Sequence, residues 1–255
     1  TIFKLFRGII ENLDKKKFEI LVFHSFKTRK GNSFKKMMEL EINENITNIF
    51  LSENFEKKIN SITNNKLDIL FYPDIHMSKD LYLLSYLRLA KFQITSWGHP
   101  ETTGNKSIDY FLSSKLCEVQ TAQNHYSEKL ILVNHLPMYF YKPKLENNFQ
   151  LKNQDLSVRN KYCCPQSLFK FHPDFDETLS KIVKKDSNSQ IVMIETNYKK
   201  HVEKIKLRWS KNNPELLNKV LFLKNLDFQN FISLINLSDV LLDPFYFGSG
   251  MSFTE

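Results

Sequence analysis

Cysteine is scarce: the chain has three, Cys117, Cys163 and Cys164, among 255 residues. The number is odd, two are adjacent and so poorly placed to pair with each other, and no Cys-x-x-Cys or Cys/His cluster has zinc spacing. That excludes a disulfide-stapled scaffold and a zinc finger, and it suits reduced thiols in a cytoplasmic protein. No apolar run is long enough to cross a membrane. No secretory signal is visible, although the chain opens on Thr1 within a helical pattern, which leaves a lost leader open. There is no fixed-period repeat and no low-complexity tract. Neither a Ser-His-Asp order nor a G-x-x-x-x-G-K-[ST] phosphate loop occurs.

What is present is a globular composition. Hydrophobic residues make up 42% of a chain long enough for one large domain or two ordinary ones. The net charge of +8 raises the question of nucleic acid. The lysines, however, are scattered along the whole chain rather than gathered on one face. The expectation is therefore no nucleic-acid partner, while a small acidic substrate such as a sugar nucleotide fits the charge.

Hydrophobic periodicity places elements in alternation. A helix is under way at Thr1, with Phe3, Phe6, Ile9, Ile10 and Leu13 at helical spacing. Strands are expected at 18–24, 46–51, 67–72, 92–97, 108–112 and 130–133. Helices are expected between them at 33–40, 55–62 and 81–90, the last capped by Ser78. A polar stretch follows, read as a linker over 146–160 between a first domain (1–145) and a second (161–255). The alternation then resumes, with strands at 162–164, 190–195, 220–223 and 239–243 and helices at 174–184, 200–209 and 228–236. The strands are continuous apolar runs, the mark of parallel sheets covered on both faces. The fold class is α/β with two successive units. In such sheets ligands sit beyond the carboxyl ends of the strands, and a cleft between the units is the default site.

Three segments follow expected strands. At the chain's end a buried strand at 239–243 opens through Gly248, Ser249 and Gly250, with Ser252 or Thr254 able to cap a new helix. Free N–H groups and a helix dipole make that a place for a phosphate. Glu255, in the first turn, is placed to accept from ribose hydroxyls. In the second segment, Cys163 to Pro173, Lys170 offers a point charge to a phosphate. In the third, Trp97 to Gly104, His99 between Gly98 and Pro100 offers an acid, a base or a hydrogen-bond donor. Thr102, Thr103 and Gly104 form another small turn suited to an anion.

The runs W-G-H-P-E-T-T-G-N-K-S-I-D-Y-F-L-S-S, H-Y-S-E-K-L-I-L-V, C-P-Q-S-L-F-K-F-H-P-D-F-D and D-V-L-L-D-P-F-Y-F-G-S-G occur in that order. Together they resemble the catalytic region of the O-linked N-acetylglucosamine transferase family. The likeness is greatest to its bacterial members, including those that glucosylate asparagine. The resemblance implies a GT-B fold of two Rossmann-like domains facing across a cleft, cut short at both ends, with the first domain on the acceptor side. It implies an inverting reaction that needs no metal or other cofactor and moves GlcNAc or glucose from a UDP-sugar to a protein side chain. By resemblance Lys170 holds the donor diphosphate, with Gln166 beside it one place off the eukaryotic spacing. Ser249, Gly250, Ser252 and Thr254 form the phosphate-binding helix start, and Gly250 stands where eukaryotic members have histidine. Glu255 contacts the ribose. Gly98, His99 and Pro100 lie beside the donor sugar, and Phe228 replaces a lysine near the uridine. The alternatives are a GT-B transferase acting on a lipid or glycan, and a pseudoenzyme that binds without turnover. Lacking both ends, the fragment is expected to be inactive alone.

Overall fold

Parallel strands dominate, as continuous apolar runs require. In the computed structural model, residues 2–24, 46–99, 101–143, 160–195, 198–250 and 252 are described. The helix expected at 33–40, most of the linker, Pro100, Thr254 and Glu255 lie outside them. The chain divides into two units, Thr1–Tyr141 and Lys142–Glu255.

In the first unit β1 (Ile20–His24) pairs in parallel with β2 (Ile46–Phe50). A second sheet has the order β3-β4-β5-β6, with β3 at Ile69–Tyr72, β4 at Phe92–Thr95, β5 at Tyr110–Ser114 and β6 at Lys129–Val133. Every neighbouring pair in it is parallel. Among the described residues, three helices accompany these strands: α1 (Ile2–Asn12), α2 (Phe55–Thr63) and α3 (Lys79–Ser85). Leu51, Ile62, Leu70, Tyr72, Leu84 and Ile108 form the core between helices and sheet. Ser78 does cap α3, its hydroxyl accepting from the Leu81 N–H. The helix expected to run to Ala90 stops at Ser85. The Leu89 N–H goes to the buried Gln93 side chain at 2.9 Å rather than to a carbonyl one turn back, and this carries the chain directly into β4.

The second unit has the strand order β10-β7-β8-β9, again all parallel. These are β7 (Asn160–Cys164), β8 (Ser189–Ile194), β9 (Val220–Leu223) and β10 (Val240–Leu241). The helices are α4 (Pro173–Lys185), α5 (Lys199–Asn212), α6 (Pro214–Asn218) and α7 (Phe228–Leu237). Trp209 of α5 is fully buried with Leu179, Ile191, Met193 and Leu216. The short α6, which begins with proline at its first turn, is not foreseen by periodicity because five residues are too few to show one.

The last strand departs from expectation. Only Val240 and Leu241 pair, and both side chains are exposed, where a longer buried strand is expected. Among the described residues β10 is an edge strand with β7 as its one neighbour. Its position still matters. β7, β8 and β9 step one way across the sheet, and the chain then returns to the other side of β7 for β10. The boundary between β7 and β10 is a topological switch point, the place where ligands enter open α/β sheets.

Candidate active site

Two loops leave the carboxyl ends of β7 and β10 side by side. The strands are in register from Val240 against Tyr162 to Leu241 against Cys163, and the Leu242 N–H continues the ladder to the Cys163 carbonyl at 2.7 Å. After β7 the chain makes a 3-10 turn, Leu168–Lys170, and then enters α4. Leu168, Phe171 and Phe175 are buried and anchor this turn to the core, while His172 caps the helix by accepting from the Asp174 N–H at 3.3 Å.

After β10 the loop is tied down by aromatic side chains. Phe245 meets Phe175 edge-on at 5.2 Å, and Tyr246 meets His172 in the same way at 5.0 Å. The Tyr246 hydroxyl also donates to Asp174. These contacts hold Tyr246 at a φ of 69°, a left-handed conformation unusual for a bulky residue.

The two loops meet at Lys170. Its ammonium donates to Gln166 Oε1 at 2.7 Å and to the Gly248 carbonyl at 2.9 Å, and lies 4.8 Å from the centre of the Phe247 ring. Gln166 is buried, and its amide donates to the Ser252 hydroxyl at 2.6 Å. Burial pushes the Lys170 pKa below the ordinary lysine value, while Asp243 and Cys164 oppose that shift. The result is a half-buried cation whose hydrogen-bond partners among the described residues are neutral. Such a cation is prepared for an anion, which would meet it with much of its desolvation already done.

Of the residues singled out in this half, the structure brings Gln166, Lys170, Ser249 and Ser252 into one connected cluster. Gln166, displaced by one place from the eukaryotic spacing, is the link between Lys170 and Ser252. Gly250 is exposed, with no non-adjacent described residue within 4 Å of where a side chain would begin. Ser252 is in helical conformation rather than ahead of the helix, so its hydroxyl serves Gln166. The Ser249 N–H, expected to be free, is held by the Asp243 carboxylate at 2.7 Å. Asp243 has no signature in sequence, since only the turn it closes gives it a role.

Asp174-Phe175-Asp176 has the spacing of an acidic metal clamp, which the expectation of a metal-free site passes over. Its carboxylates are otherwise engaged. Asp176 is buried in an ion pair with Arg208 at 2.7 Å, and Asp174 takes the Tyr246 hydroxyl.

The first unit holds a separate cluster. Gly98 passes so close to the end of β3 that a Cβ there would stand 1.6 Å from the Pro73 carbonyl oxygen. This close approach sets His99 against His76, ring centres 4.8 Å apart. His99 Nδ1 is buried without a hydrogen-bond partner among the described residues. Asp74 is also buried, accepting from the Met77 N–H at 2.9 Å. Burial raises its carboxyl pKa, against the Met77 N–H and the charges of His99 and His76. Sequence spacing misses Asp74 and His76. The signal for them is position, because both follow β3 as His99 follows the adjacent β4.

Thr102 and Thr103, read as a turn for an external anion, already hold one of the chain's own. Glu128, 2% exposed, accepts from the Thr102 hydroxyl at 2.7 Å, from the Thr103 N–H at 2.8 Å and from the Thr103 hydroxyl. That turn is structural.

The architecture defines a GT-B-class α/β chain. A point mutant of the Thermobaculum terrenum O-GlcNAc transferase superposes with a TM-score of 0.78 over 96% of this chain and 46% of its own, at 16% identity. In sequence, 120 residues are 28% identical to the probable UDP-N-acetylglucosamine–peptide N-acetylglucosaminyltransferase SEC of Arabidopsis thaliana, covering 41% of this chain and 12% of the plant protein. No family model matches the chain. One comparison thus shows the fold, and the other a likeness in sequence to an N-acetylglucosaminyltransferase over part of the chain. The chain spans less than half of either relative. No described helix is long and apolar enough to cross a membrane.

Proposed function

We propose that this chain is part of an inverting, metal-independent glycosyltransferase that moves GlcNAc or glucose from a UDP-sugar to a protein side chain. The observation that carries the reading is Lys170, a half-buried cation at a topological switch point whose hydrogen-bond partners among the described residues are neutral. The donor's diphosphate would take the ammonium's third N–H, with the Gly248 carbonyl and Gln166 holding the other two. Gln166 would keep the ammonium aimed, and the Ser252 hydroxyl would complete the same hydrogen-bonded row.

In the reaction the bond from the sugar's anomeric carbon to the diphosphate breaks as the acceptor's oxygen or nitrogen bonds to the opposite face. Negative charge grows on the departing UDP, and Lys170 stabilises it most as the bond breaks, which accelerates the step rather than merely tightening binding. His99 is the proposed proton acceptor, supported by its unpartnered ring nitrogen near a buried carboxylate. The proposed acceptor is a protein, in line with the peptide acceptor in the plant relative's name, and the proposed working compartment is the cytoplasm.

A transfer assay tests this reading. The full-length protein is incubated with UDP-GlcNAc or UDP-glucose and a library of peptides, and glycopeptide is detected by mass. Transfer that falls on the order of 100- to 1000-fold in Lys170→Ala supports the reading. Transfer to lipid or glycan alone, or UDP binding without turnover, refutes it.

A further inference from the structure

One peptide bond sits between Lys170 and Asp243. The carbonyl of Gly248 accepts from the Lys170 ammonium at 2.9 Å, and the N–H of Ser249 donates to Asp243 Oδ1 at 2.7 Å. These two groups belong to the same planar unit and point in opposite directions, so fixing one fixes the other. The other carboxylate oxygen of Asp243 lies against Gly248, where a Cβ would stand 2.5 Å from it. Any side chain at 248 would push the carboxylate away. The carboxylate is the flexible end of its side chain, so an alanine at 248 would displace it without forcing the backbone. The resulting chain of contacts runs Asp243, peptide 248–249, Lys170, Gln166, Ser252.

We infer that Asp243 is a positioning residue for the donor site, acting on Lys170 through the 248–249 peptide. The inference rests on the donor-site reading above. Asp243 makes no ion pair with Lys170, so it offers the lysine no direct alternative to a phosphate. What it supplies is a hydrogen-bond acceptor that orients the peptide, and the peptide in turn places the ammonium. An amide in place of the carboxylate still accepts the Ser249 N–H through its oxygen. Orienting the peptide thus needs the acceptor oxygen, while the charge separately favours the protonated lysine. The charge works against a diphosphate, which gives the asparagine variant a small compensation.

The test uses the full-length protein as wild type, Asp243→Ala, Asp243→Asn, Gly248→Ala and Lys170→Ala. Two readouts are taken: UDP affinity by calorimetry, and the Lys170 ammonium by side-chain nitrogen NMR without ligand. Asp243→Ala should lose the protected ammonium signal and weaken UDP binding about tenfold, the scale of one lost hydrogen bond to a charged group. Asp243→Asn should restore both. Gly248→Ala, which displaces the carboxylate without removing it, should behave like Asp243→Ala. An unchanged ammonium signal in Asp243→Ala overturns the inference. So does tighter UDP binding in Asp243→Ala, which would make the aspartate a competitor of the donor, and so does failure of asparagine to rescue. If wild type binds no UDP while the ammonium signal still depends on Asp243, the donor reading fails and the positioning geometry stands.

Discussion

Gln166 and Ser252, 86 positions apart in sequence, are joined by a hydrogen bond of 2.6 Å beside the ammonium of Lys170. Gln166 is buried and uses both ends of its amide, the oxygen on the lysine and the nitrogen on the serine. Replacing it with alanine leaves Lys170 with the Gly248 carbonyl as its remaining hydrogen-bond partner. UDP affinity in Gln166→Ala should fall about tenfold, the scale of one lost charge-assisted hydrogen bond. Gln166→Glu should fall further, because a carboxylate there pairs with the ammonium and competes with phosphate. Calorimetry on the two variants gives the order, and a glutamate variant that binds as well as wild type would contradict it.

Gly98 predicts a structural effect of another kind. A methyl group there collides with the Pro73 backbone, which has no flexible end to move. Gly98→Ala should cost at least about 3 kcal/mol, the range of mutations that force backbone apart. Gly104 makes the control. Its φ is 65° but nothing lies within 4 Å of a would-be Cβ, so Gly104→Ala should cost only about 1 kcal/mol of backbone strain. Thermal unfolding of the two variants measures the difference, and equal losses would contradict the close approach at Pro73.

Two buried carboxylates in the first unit should respond to pH in opposite senses. Burial pushes the pKa of Glu128 up, but the hydroxyls of Thr103 and Thr102 with the Thr103 N–H outweigh it, and the net shift is downward. A depressed pKa in the folded state stabilises above the unfolded value and is lost as pH falls through the folded one. Glu128→Gln should therefore unfold at a lower temperature at neutral pH, with the gap closing as pH drops below the ordinary glutamate range. Asp74 is shifted upward by burial. Its carboxylate costs stability as pH rises from the unfolded value through the folded one. Asp74→Asn should then raise the melting temperature at neutral pH and leave it unchanged in acid. Melting curves across pH separate the two, and parallel curves would show that neither ionisation is linked to folding.

Much of the fold is legible in the sequence because parallel strands such as Ile191–Met193 and Val220–Leu223 are unbroken apolar runs. The α3 helix is shorter than its pattern, since whether Leu89 continues a helix depends on the Gln93 side chain, a contact no periodicity encodes. The same limit applies to the sites. Lys170 stands out as a lysine after a strand, but Asp243 reads as the polar end of an apolar run. Thr102 and Thr103 read as a turn for an anion correctly in kind, yet the anion is Glu128, from 25 positions beyond Thr103. Sequence marks which segments follow strands, and the fold decides which of them meet.

Titration of UDP into the full-length protein, beside Lys170→Ala and without divalent metal, tests the donor-site claim most directly. The account predicts binding by wild type and a clear loss of affinity in the alanine variant, with both proteins melting at similar temperatures. No binding by a folded wild type, or equal binding by the two proteins, would contradict it.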